Sequence, residues 1–129
     1  MLSDLHSERA MSEPVKAWDG ALVRKWLESR FEASRLDQAA ADKRGYSAQD
    51  DYDKAAAEEW VCRALKGADC TNDQAAFGNR LKALLDQDEY RATGIYDDRR
   101  FERNVRATLR KLVRMTKANG GFENTTRYQ

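Results

Sequence analysis

Residues 99–118, RRFERNVRATLRKLVRMTKA, decide the fold, because two patterns share one helical period. With successive residues placed about 100° apart, Phe101, Val105, Leu109, Leu112, Val113 and Met115 gather on one side. Arg99, Arg103, Arg106, Arg110, Arg114 and Lys117 gather on the other, all within about 60° of Arg99. The apolar side suits a protein core and the cationic side faces outward, so the segment predicts an amphipathic helix docked on other helices. Asp97 and Asp98 place negative charge at the positive end of its dipole, and Asn119, Gly120 and Gly121 terminate it.

The rest of the chain supplies partners for that helix. Ser12 before Glu13 and Pro14 reads as a helix start, with Ser12 as N-cap and Pro14 in the first turn. From there Val15, Trp18, Leu22, Trp26, Ala33, Leu36 and Ala40 keep helical spacing, widened by Val23, Leu27 and Phe31. Gly45, preceded by Lys43 and Arg44, stops this first helix, which is predicted over 14–44. After a polar connection, Tyr52, Ala55, Ala56, Trp60, Val61, Ala64 and Leu65 outline a second helix, capped by Ser47 or Asp50 and ending before Gly67. Asn72 reads as the cap of a third, with Ala76, Phe77, Leu81, Leu84 and Leu85 as its apolar members. Between Asp86 and Tyr96 the pattern weakens to a short helical turn and a loop.

The expected architecture is therefore all-α: a compact bundle of four main helices, with room for a fifth short one. At 129 residues the chain is one domain long. Residues 1–12 read as a mobile arm or short helix, and 122–129 as a tail with little to order it. Forty-one per cent hydrophobic residues are enough for a core, while one Pro and seven Gly are too few for the many turns of a β-sandwich.

Composition also narrows the chemistry. No apolar run approaches the ~18 residues of a membrane span, and the first residues lack the cationic start and apolar stretch of a secretory signal. Cys62 and Cys70 are too few for a disulfide framework, so a reducing cytoplasm is the expected setting. With one histidine, His6, and no CxxC, no metal site or cofactor is expected. Nor is catalysis: neighbouring acids such as Asp50 with Asp51 or Glu58 with Glu59 diverge on a helix, and no phosphate-binding glycine motif is present. Trp18, Trp26 and Trp60 read as core residues, or as partner anchors if exposed.

Charge is where the sequence speaks of function. Residues 99–129 carry nine Lys or Arg against Glu102 and Glu123, whereas residues 1–98 carry fourteen against twenty acids, an imbalance concealed by a net +1. Arginine offers planar, permanently charged donors suited to phosphate oxygens. The row Arg99, Arg103, Arg106, Arg110, Arg114 and Lys117 spans about 27 Å of helix and predicts binding to a nucleic-acid backbone, DNA or RNA, by an accessory or regulatory protein. Tyr90, Tyr96, Phe122 and Tyr128 flank it as candidates for stacking on unpaired bases.

Other readings of the row and its neighbours stand beside that one. In one, the row docks on an acidic protein surface, making the chain an adaptor or inhibitor. In another it is a solvated face balanced internally by Asp50, Asp51, Asp53, Glu58 and Glu59. A helix-turn-helix across 60–85, presenting Asn72, Gln74, Asn79, Arg80 and Lys82, is a further arrangement, diluted by Asp73 and Asp86. A homodimer or a larger nucleoprotein assembly is compatible with the broad face of the first helix, whereas a membrane surface is not expected, since the apolar face of the basic helix is needed by the core.

Overall fold

A computed structural model describes residues 17–66, 70–87 and 98–123. Four α-helices account for most of them: α1 (Gly20–Arg44), α2 (Gln49–Lys66), α3 (Gln74–Leu85) and α4 (Asp98–Ala118), with a short 3-10 turn, Gly45–Ala48, leading from α1 into α2. There is no strand among the described residues. The all-α bundle read from the sequence is the observed fold, with α1 packed along α2, α2 along α4, and α4 along α3. The expected N-terminal arm, the Ser12 cap, the 88–97 connection and the end of the tail lie outside the described residues.

Helix ends show where local chemistry overrode the sequence pattern. α1 starts at Gly20, later than the predicted residue 14, because Asp19 is extended and its carboxylate accepts the backbone N–H of Leu22. Trp18 is thereby turned out of the helix, and its indole Nε1 donates to the carbonyl of Thr71 at 2.8 Å. Arg24 reinforces this contact by donating to Thr71 Oγ1 and Asn72 Oδ1. Asn72, the expected cap of α3, is thus a partner of α1, and the cap is Asp73, whose side chain accepts from Ala76 N. At the end of α4, Asn119 adopts a left-handed φ of 50°; its N–H donates to Thr116 O and that of Gly120 to Met115 O, closing the last turn.

One apolar cluster joins all four helices: Val23, Trp26 and Leu27 from α1, Val61, Cys62 and Leu65 from α2, Phe77, Leu81 and Leu84 from α3, and Phe101, Val105, Leu109 and Leu112 from α4. Full burial of each large side chain contributes about 1.5–3 kcal/mol before chain entropy is counted. Phe122, expected in a poorly ordered tail, is 2% exposed and meets Trp18, Trp26 and Phe77 edge-on at 5.5–6.1 Å. It folds the chain after α4 back onto the bundle. Leu36 departs from expectation the other way, at 54% exposed. In that half of α1 the buried side runs through Ala33, Ser34 and Ala41, toward α2, and Leu36 falls off its edge.

Candidate functional site

On α4 the buried residues Phe101, Val105, Leu109, Leu112 and Thr116 occupy one narrow arc. The opposite arc carries Arg99, Arg103, Arg110, Lys111, Arg114 and Lys117, all exposed. Among the described residues, no carboxylate lies within ion-pair distance of Arg103, Arg110, Lys111, Arg114 or Lys117. Five of the six row residues named from sequence are thus brought together on one open face. The sixth, Arg106, is different: only 24% of its side chain is exposed. Its guanidinium donates to the carbonyls of Leu85 at 2.7 Å and Gln87 at 3.0 Å, at the C-terminus of α3, and touches Glu102. A cation there satisfies carbonyls that the helix leaves without an N–H, and opposes the negative end of the dipole.

Angular position explains the difference. Measured from the centre of the exposed arc, Arg114, Arg103 and Arg110 lie within about 40°, whereas Arg106 lies about 80° away, beside Glu102 and Val113 at the border with α3. A sequence reading centred on Arg99 could not see that displacement; one centred opposite the buried residues would have.

The acids of α2 are engaged elsewhere. Glu58 receives two bonds from Arg30, and Glu59 is held by Arg63 and Gln38. Asp51 pairs with Arg44 and Asp50 with Lys54. Asp53 reaches α4: it is buried, accepts from Gln49 and Arg100, and so fastens α2 to the start of the basic helix. The ion pair that joins this acidic group to α4 thus uses Arg100, which stood outside the row, and not Arg103, Arg110, Arg114 or Lys117.

Two grooves border the basic face. Across Ala107 and Lys111 lies one of about 560 Å³ between α1, α2 and α4, where Arg30, Asp37, Arg44, Asp51, Lys54 and Glu58 mix both signs of charge. On the other border, between α3 and α4, is a mainly apolar groove of about 320 Å³. The sequence reading missed it. Its signal was Gly78 one turn before Leu81 and Lys82, a gap in an otherwise well-filled helix.

The remaining candidates separate cleanly. Of the residues a helix-turn-helix would present, Asn72 is held by Arg24, Gln74 donates to Thr116 O, and Arg80 is half-buried, leaving Asn79 and Lys82 exposed. Phe122 is inside the core and offers no face for stacking, while Tyr90, Tyr96 and Tyr128 lie outside the described residues. Trp18, Trp26 and Trp60 pack against Phe122 or Phe101. Cys62 and Cys70 are buried free thiols, and burial, with a smaller push from Glu58, raises Cys62 to about 12, which makes it inert. Among the described residues no three His, Cys, Asp or Glu side chains converge as a metal site, and no helix is long and apolar enough to cross a membrane. No protein-family model matches the chain, and comparison with curated proteins and with solved structures gives no significant match.

Proposed function

We propose that this protein acts by binding, through the exposed face of α4, to the phosphate backbone of a nucleic acid as a non-catalytic accessory or regulatory subunit. The observation that carries the reading is the set of exposed cations Arg103, Arg110, Arg114 and Lys117, which have no carboxylate within reach among the described residues while the α2 acids pair elsewhere. Arg99 extends the face toward the start of the helix, and the span from Arg99 to Lys117 is about 27 Å at 1.5 Å per residue. Cations left unpaired on a rigid helix keep their affinity for an external anion, whereas internally paired ones must first break a contact. The side chains on this face are almost all Arg and Lys, so the contacts would track phosphates and carry little base discrimination.

Charge reversal tests the reading. Arg110→Glu with Arg114→Glu leaves Arg106 and its carbonyl contacts in place, so loss of binding cannot be blamed on a broken α3–α4 joint. Fluorescence anisotropy with labelled single- and double-stranded DNA and RNA should show micromolar or tighter binding by the native protein. The double variant should bind at least about tenfold more weakly, a loss of about 1.4 kcal/mol. Equal affinity in both proteins, or no binding at low salt, would refute the proposal.

A further inference from the structure

We infer that the apolar groove between α3 and α4 is a docking site for an acidic amphipathic helix of a partner protein. α3 and α4 run antiparallel there: Gln74 at one end donates to Thr116 O, and Leu85 at the other accepts from Arg106. The groove opens because Gly78 has no side chain, and a Cβ built on it meets nothing within 4 Å. Its floor is Leu81, Leu85 and Val113. Thr116 also lines it, but its hydroxyl is spent on the carbonyl of Leu112 at 2.7 Å. With that proton spent, a hydrogen-bond acceptor such as a carboxylate or phosphate would lose water on the floor and find no side-chain donor there. The floor is aliphatic and has no ring on which a nucleobase can stack.

The rims supply the charge. Lys82 on α3 and Lys117 on α4 stand exposed on opposite sides, and Arg110 and Arg114 continue the cationic surface beyond Lys117. Asp86 marks one end, which favours a neutral or basic residue of the partner there. From Gly78 to Leu85 the groove is about 10 Å long at 1.5 Å per residue, the reach of apolar side chains at i, i+4 and i+7 of a docked helix. An occupant with that apolar stripe and carboxylates on both sides of it satisfies floor and rims together. The inference stands on the groove and its two lysines and does not depend on nucleic-acid binding, though Lys117 belongs to both surfaces.

The test uses the full chain and a fluorescein-labelled helical peptide with Leu at i, i+4 and i+7 flanked by Glu. Two control peptides replace Glu by Lys or Leu by Ser. The acidic amphipathic peptide should bind, and both controls should bind at least about tenfold more weakly. Gly78→Trp, which fills the groove from an unobstructed position, should abolish peptide binding with the circular dichroism spectrum and nucleic-acid affinity unchanged. Lys82→Glu, at an exposed site remote from the core, should weaken the peptide at least about tenfold and keeps the inference testable if the Trp variant fails to fold. No binding of the acidic peptide, or binding indifferent to Gly78→Trp and Lys82→Glu, overturns the inference. So does loss of nucleic-acid affinity in Gly78→Trp without peptide binding, which would assign the groove to the nucleic-acid surface.

Discussion

Replacing Arg106 by Ala leaves the carbonyls of Leu85 and Gln87 without their charged donor and is expected to cost about 1–3 kcal/mol. Arg103→Ala, on the open face, should change stability by less than about 0.5 kcal/mol. Urea titrations of the two variants measure the contrast, and equal stability would mean that the α3 terminus does not need the clamp. The sequence holds the angular difference between these arginines, about 80° against about 20° from the centre of the exposed arc, but not the carbonyls of α3 that Arg106 meets, which come within reach only once the helices are packed. Cys62 provides a second residue-scale expectation. An unfolded thiol ionises near its ordinary value of 9.0, while burial first, and then Glu58, push the folded one up to about 12. Between those values the unfolded chain sheds a proton that the folded chain keeps, so this contribution is complete below about 9 and is lost as pH rises toward 12. Native protein should therefore lose stability more steeply than Cys62→Ala from about pH 8 to about pH 10.5, as read from urea midpoints. Parallel losses would show that the thiol is solvated.

At the scale of the elements, two glycines in helices should respond in opposite directions to the same added methyl group. A Cβ on Gly20 would stand 2.6 Å from Thr71 O and 2.9 Å from Asn72 Cα, both backbone atoms, so Gly20→Ala must force the start of α1 away from the turn before α3. A destabilisation of about 1–3 kcal/mol is expected. Gly78 has open space, and Gly78→Ala should stabilise by about 0.5–1 kcal/mol through helix propensity alone. Thermal unfolding of both variants checks the pair, and a shift of the same sign would contradict the packing described. Helix identity was legible in the sequence because apolar spacing reports burial directly: Phe77, Leu81 and Leu84 are all buried as their period required. Helix starts were less legible. Whether Ser12 or Asp19 opens α1, and whether Asn72 or Asp73 opens α3, depends on competition among acceptors, and Arg24 settles the second case by drawing Asn72 across to α1. Phe122 was misplaced for a similar reason: an isolated aromatic after a Gly-Gly stop has no period, and only the pocket formed by Trp18, Trp26 and Phe77 shows where it belongs.

For the whole molecule, the bundle divides its cations between two tasks. Arg24, Arg30, Arg100 and Arg106 bind helices to one another through specific oxygens, whereas Arg103, Arg110, Arg114 and Lys117 project from α4 as a row with no carboxylate partner among the described residues. Among the described residues, the acids Asp50, Asp51, Glu58 and Glu59 of α2 do not pair with that row, because Lys54, Arg44, Arg30 and Arg63 engage them. The candidate site was thus largely visible in the charge pattern, while the apolar groove beside it was not, since a single Gly within a helix carries no direction until the neighbouring helix is in place. A phosphate-binding row releases one counterion per contact, which makes the salt dependence of binding a count of engaged cations. The most direct measurement is the slope of log affinity against log salt for native protein and for Arg110→Gln with Arg114→Gln. Engagement of the five exposed row cations predicts a native slope of about −3.5 to −4.5, reduced in magnitude by about 1.4 to 1.8 in the double variant. A slope near zero, or one unchanged by the two substitutions, would contradict the assignment of this face to a nucleic-acid backbone.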